Sequence, residues 1–72
     1  MVSPHTARYQ LFLARLRAAR LEAELTQAEV AKKLRRPQSF VSKSETGERR
    51  VDAVEFADFA RLYGKPLEYF VR

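Results

Sequence analysis

The stretch RRPQSFVSKSETGERR, residues 35–50, carries the chain's densest group of side chains able to do chemistry at a surface. Wound as a helix, Ser39, Ser42, Lys43 and Thr46 recur at i, i+3, i+4 and i+7 and share a face, with Gln38 at its N-terminal end. These are the donor and acceptor types that read base edges, glutamine being suited to adenine and lysine to guanine. Arg35 and Arg36 precede that face, and Arg49 and Arg50 follow it. A helix laid in a major groove needs such flanking cations, because phosphates line both sides of the groove. Phe40, Val41 and Ser44 fall on another face, which Phe40 and Val41 can hold against a core. Taken alone, the pattern is equally that of a solvated polar face between surface arginines.

Other chemistries find less material. Ser39, Ser42 and Ser44 have no histidine nearby in sequence, and no nucleophile, base and oxyanion donor can be assembled, which argues against an enzyme. His5 is the only histidine; with no cysteine or second histidine to share a metal, it reads as a surface residue. The two glycines cannot build a phosphate-cradling loop. No metal or cofactor is expected.

The charge balance favours a polyanionic partner. Net charge is +5, and it is uneven: residues 1–25 carry +2, residues 26–51 carry +4 and residues 52–72 carry −1. The excess lies in the segment quoted above. Zero cysteines fit a reducing compartment. The longest apolar run, Leu11 to Ala14, is far too short to span a membrane, and no signal-peptide core is present. A cytoplasmic protein with no membrane partner is the expectation. The basic first helix could lie on an anionic membrane, but its apolar stripe is more simply core.

The elements that must position these groups read as helices throughout, with no repeat, low-complexity tract or period-two strand pattern. At 72 residues there is room for one domain, 1–72, near the size at which a single core just supports folding. Tyr9, Phe12, Leu13, Leu16, Ala19 and Ala23 trace one face of a first helix over residues 5–23, opened by Ser3-Pro4. Thr26 and Glu29 form a capping box for a second, with Leu25 and Val30 placed as a hydrophobic staple. That helix ends near Leu34, because Pro37 disfavours helical geometry at Arg36. Pro37 begins a third helix that runs to Thr46 and stops at Gly47. Asp52 and Glu55 cap a fourth, carrying Phe56, Phe59, Ala60 and Tyr63 and closed by Gly64. Pro66 starts a short fifth with Leu67, Tyr69 and Phe70.

Residues 26–46 and their surroundings strengthen the nucleic-acid reading. LTQAEVAKKLRRPQSFVSKSETGERR strongly resembles the helix-turn-helix of the lambda-repressor-like (Cro/repressor-type, or xenobiotic-response-element) family of transcriptional regulators. RLRAARLEAELTQAEVAKKL before the turn and FARLYGKPLEYF after it extend the resemblance over most of the chain. It implies an all-α, compact five-helix DNA-binding domain with the motif at helices 2 and 3. It further implies that Gln38, Ser39, Ser42 and Lys43 face bases or nearby phosphates. Gln27, Arg36, Thr46, Arg49 and Arg50 are expected at the DNA backbone. Ala31 matches the small residue where the motif helices cross, and Arg20 with Glu45 matches a partly buried ion pair seen in some members.

Three positions depart from the family pattern. Arg35 stands at the usual turn glycine and Glu24 at the glycine common between the first two helices. Positive φ there would be unfavourable for a residue with a Cβ. Ser44 stands where an apolar or aromatic residue is usual, which implies an underfilled or hydrated core. The resulting expectation is a sequence-specific regulator, a repressor acting as a homodimer on a palindromic operator of double-stranded DNA. Leu67, Tyr69, Phe70 and Val71 are the candidate dimer surface. The alternative is an antitoxin or other protein-binding module of a toxin–antitoxin pair, with a small protein partner and its own promoter as DNA target.

Overall fold

The computed structural model describes residues 6–72, so the expected Ser3-Pro4 helix start and the surface assignment of His5 lie outside the described residues. Five helices follow in order: α1 (Ala7–Glu22), α2 (Gln27–Leu34), α3 (Gln38–Thr46), α4 (Ala53–Tyr63) and α5 (Leu67–Val71). No strand occurs among the described residues. No helix of these is long and apolar enough to cross a membrane.

The caps explain the boundaries. Thr6 opens α1, its Oγ1 accepting from the Tyr9 amide at 3.3 Å. Thr26–Glu29 and Asp52–Glu55 form reciprocal capping boxes at α2 and α4, each satisfying two amides that a helix start leaves without partners. Pro37 and Pro66 act one residue earlier than the sequence suggests. Both have extended ψ, 153° and 154°, and therefore stand as N-caps outside the helices they precede. Left-handed residues end the helices: Gly47 at α3 and Gly64 at α4.

Arg35 ends α2 in the same left-handed conformation, at φ 57° and ψ 46°, and its amide bonds back to the Lys32 carbonyl. Glu24, at φ 59°, does likewise between α1 and α2. Both positions thus carry the strain that the missing glycines would have avoided, on the order of 1 kcal/mol each.

The core assembles the expected stripes. Leu16, Val30, Val41, Phe59 and Phe70 are wholly withdrawn from water, with Phe12, Leu13, Phe40 and Tyr63 nearly so. Each such side chain contributes roughly 1.5 to 3 kcal/mol through burial. Ala23 is exposed, because it caps α1 rather than belonging to it. Ala31 is buried, and its small side chain lets α2 lie close to α3. Packing is led by α1 against α5 and α2 against α3, with α1 also on α3. Aromatic edges join the ends of the chain: Phe56 meets both Phe12 (5.1 Å) and Phe70 (5.4 Å) edge-on.

Candidate nucleic-acid interface

Burial divides α3 into two faces. Phe40, Val41 and Ser44 point into the core, while Gln38, Ser39, Lys43 and Thr46 are exposed and Ser42 is half-buried. The four polar positions singled out by spacing, with Gln38 at their N-terminal end, therefore share the accessible side of one helix. Phe40 anchors that helix by stacking on Phe59, ring centroids 5.8 Å apart and planes 8° from parallel. Ser44 is satisfied where it lies: its hydroxyl donates to the Phe40 carbonyl at 2.6 Å, so the core there holds a bonded hydroxyl.

The inner side of α3 is pinned by a buried charge network. Glu45 receives Arg20 Nε at 2.6 Å on Oε2 and Arg20 Nη2 at 3.1 Å on Oε1. Arg20 Nη1 donates to the Leu25 carbonyl at 3.0 Å, which ties in the approach to α2. Gln27 Nε2 donates to Glu45 Oε1 at 3.1 Å, so the first residue of α2 is oriented by a carboxylate on α3. The bonds to Glu45 raise the arginine's pKa further above its ordinary value. Tyr63 lies in the same field: burial, chiefly, and then the Glu45 charge push its phenol pKa well up, and its hydroxyl has no hydrogen-bond partner among the described residues.

The cations flanking α3 are individually placed. Arg36 is 47% exposed, with its guanidinium carbon 4.6 Å from the Phe40 ring centroid. Arg50 lies 4.5 Å over the Tyr9 ring, whose hydroxyl accepts from the Val51 amide at 3.1 Å. Lys43 sits 3.5 Å from Glu48 in an exposed pair. Arg49 is engaged differently: its guanidinium makes a two-pronged contact with Glu55, at 2.7 and 2.6 Å, and also rests on Phe40. That contact holds the Glu55 carboxyl below its ordinary pKa and raises that of Arg49.

Sequence reasoning treated Glu55 only as a helix cap and Tyr9 only as core. The partner of each lies in the loop after α3, and six residues of separation between Arg49 and Glu55 correspond to no helical spacing. Nothing local announced either contact. Among the described residues, no group of three or more acidic, cysteine or histidine side chains is gathered as a metal site.

With this geometry in hand, comparison with known proteins is specific. A family model described as a helix-turn-helix domain matches residues 11–68. A solved structure described as an XRE-family like protein, from Pseudomonas syringae pv. tomato str. DC3000, is 52% identical. That match covers 89% of this chain and 78% of the other, with a TM-score of 0.82. No curated protein matches.

Proposed function

The chain belongs to the helix-turn-helix family, of XRE type, and is a DNA-binding regulator; from that premise we propose that it is a repressor reading a palindromic operator as a homodimer. One observation carries the reading: a helix held by its apolar face presents five polar side chains outward between two sets of arginines. In this proposal residues 1–72 act as a single DNA-binding domain, and α3 enters the major groove. Gln38, Ser39, Ser42 and Lys43 meet base edges. Gln27, Arg36, Thr46 and Arg50 meet the phosphates and sugars that set register.

The chemistry of each group supports its assigned role. Gln27 gives one amide hydrogen to Glu45 and keeps a second for a phosphate. Pro37 supplies no side-chain cap, which leaves the first amides of α3 to solvent or to an anionic oxygen. Thr46 already spends its hydroxyl hydrogen on the Lys43 carbonyl at 3.2 Å and accepts from the Glu48 amide at 3.4 Å, so a backbone contact there requires the hydroxyl to turn. Arg49 stands apart from these residues, because Glu55 already holds its guanidinium.

For the dimer, α5 is favoured, but not all of it. Phe70 is fully buried and belongs to the core of its own subunit, and Tyr69 lies under Arg15 and Lys65. Leu67 and Val71, 51% and 45% exposed, are the side chains left for a partner.

Selection of bound sequences from a random duplex pool tests the reading. A recovered two-fold motif, with half-sites about one helical turn apart, is the expected result. Recovery of no motif would overturn it, and co-purification with a second small protein would instead favour a toxin–antitoxin pair.

A further inference from the structure

Arg36 and Arg49 lie on opposite sides of α3 in the chain, one in the turn before it and one in the loop after it. Their guanidiniums nonetheless converge on one carboxylate. Glu55 Oε2 is 2.6 Å from Arg49 Nη2 and 3.9 Å from Arg36 Nη2. Glu55 Oε1 accepts from Arg49 Nη1 at 2.7 Å and from the Asp52 amide at 3.1 Å. Glu55 itself is only 6% exposed.

These distances separate the two arginines. The two-pronged contact occupies the end-on fork of Arg49, and Nη1 also donates to the Arg50 carbonyl. Glu55 thus offsets the charge of this guanidinium and, among the described residues, only its Nε hydrogen and one Nη2 hydrogen remain unspent. A phosphate that drew the end-on fork away would strip a nearly buried carboxylate of its nearest cation, which is unfavourable. One approaching the Nε edge would meet a guanidinium whose charge Glu55 already offsets. At 3.9 Å Arg36 has the attraction of Glu55 without a hydrogen bond, and its donors stay free. Among the described residues, Arg50 has no carboxylate within ion-pair distance.

We infer that Glu55 withholds Arg49 from the DNA backbone, so that the flank of α3 engages phosphates through Arg36 and Arg50, and that this limits sequence-independent binding. The carboxylate thereby acts as a specificity-determining positioning residue that never touches DNA. It supplies, from the first turn of α4, the anion that Arg49 would otherwise seek outside the protein. Arg49 in turn donates to the Arg50 carbonyl at 3.1 Å, which steadies the loop from which Arg50 projects. The inference rests on the DNA-binding reading above.

Salt-dependent titration of a random duplex and of a selected operator tests it, using the wild-type chain, Glu55→Gln and Glu55→Gln/Arg49→Ala. Glutamine at this position still serves the α4 capping box, so the helix start is retained. Releasing Arg49 in Glu55→Gln should steepen the salt dependence by about 0.9 per bound subunit, as for one added phosphate contact. Random duplex should be bound several-fold more tightly and the operator-to-random ratio should fall. Removing Arg49 in the double variant should return the slope to the wild-type value. If Arg49 already bound phosphate in the wild type, Glu55→Gln would leave the slope unchanged and the double variant would flatten it; that result overturns the inference. Side-chain nitrogen NMR of the wild-type chain gives a readout independent of any variant. On adding DNA, the Arg36 and Arg50 guanidinium signals should move and those of Arg49 should stay, and movement of Arg49 would refute the withholding. Absence of salt-dependent DNA binding by the wild type would remove the functional reading itself, a different failure from an unchanged slope.

Discussion

Arg20 and Glu45, 25 residues apart in sequence, form a two-pronged ion pair whose side chains are only 9% and 4% exposed. It joins α1 to α3, and through Gln27 it reaches the start of α2. Three of the five helices thus meet at one carboxylate. The effect on stability depends on what replaces the pair. Two buried charges cost a great deal to desolvate, so the intact pair is not a large net gain, but one partner alone is a severe loss.

Arg20→Ala should therefore destabilise the domain by about 3 to 5 kcal/mol, because Glu45 is left buried and unpaired. A domain of this size has a total stability of roughly 4 to 10 kcal/mol, so the variant should sit near its unfolding threshold. Arg20→Met combined with Glu45→Leu should recover most of that loss. Urea denaturation followed by circular dichroism measures both. A double variant no more stable than Arg20→Ala would mean that the pair's geometry, and not its uncompensated charge, dominates.

The left-handed Arg35 gives a second prediction. Arg35→Gly removes the steric conflict between Cβ and backbone at φ 57°, partly offset by the greater freedom of glycine in the unfolded chain. A net gain of a few tenths of a kcal/mol, up to about 1 kcal/mol, is expected, seen as a higher unfolding midpoint. A lower midpoint would show that the side chain of Arg35 contributes contacts that outweigh its strain.

How much of this was legible in the sequence depends on the range of the interactions. Thr26–Glu29 and Asp52–Glu55 are local, so their residue types alone placed two helix starts, and the left-handed ends at Gly47 and Gly64 followed equally from type. Periodicity found the core face of α3 because it depends on one helix only. Pro37 and Pro66 were misplaced by one residue, since a proline without an amide hydrogen suits either the cap or the first turn. The Arg49–Glu55 contact depends on how a loop folds back on a cap, which no spacing encodes, so the expectation of Arg49 at the DNA backbone included no partner within the chain. Ser44 read as a packing defect because its hydroxyl bond to Phe40 is invisible until the helix exists.

Ser44 supplies the third prediction. Its hydroxyl donates within its own helix to Phe40, whose carbonyl also serves the helical ladder, so no buried group is orphaned when the hydroxyl is removed. Alanine is the better helix former by a few tenths of a kcal/mol. Ser44→Ala should thus lie within about 0.5 kcal/mol of the wild type. A loss above about 1.5 kcal/mol would show that the hydroxyl is an essential core bond.

Acid stability offers a fourth. The Glu55 carboxyl is held below its ordinary pKa, first by the Arg49 hydrogen bonds and then by the Asp52 amide. Its folded pKa is therefore depressed relative to the unfolded chain, where a glutamate titrates near 4.3. Its contribution is fully present above that unfolded value and is lost as pH falls through the folded pKa. Unfolding free energy should decline as pH drops below about 4, and Glu55→Gln should decline less steeply over the same range. Parallel acid limbs for the two proteins would contradict the assignment.

The last prediction separates reading from positioning in the stretch from Arg35 to Arg50. Arg50 projects from the loop after α3 and is proposed to meet phosphate, whose chemistry is the same at every step of the duplex. Arg50→Ala should weaken binding to operator and random duplex alike and flatten the salt dependence by about 0.9 per bound subunit. It also removes a cation resting on the Tyr9 ring, so a fold check by thermal unfolding must accompany it. Gln38, the exposed first residue of α3, should behave otherwise. Its amide can give and take a hydrogen bond at one base edge, and Gln38→Ala should cost roughly 1 to 3 kcal/mol on the operator. On random duplex it should cost little, with an unchanged salt slope, and selection should show relaxed preference at one symmetric pair of positions. Lys43 cannot make the distinction, since it reaches guanine or phosphate equally well. Equal weakening of both duplexes by Gln38→Ala would mean that α3 does not read bases through this residue, and the proposed interface would have to be rebuilt around Ser39, Ser42 and Lys43.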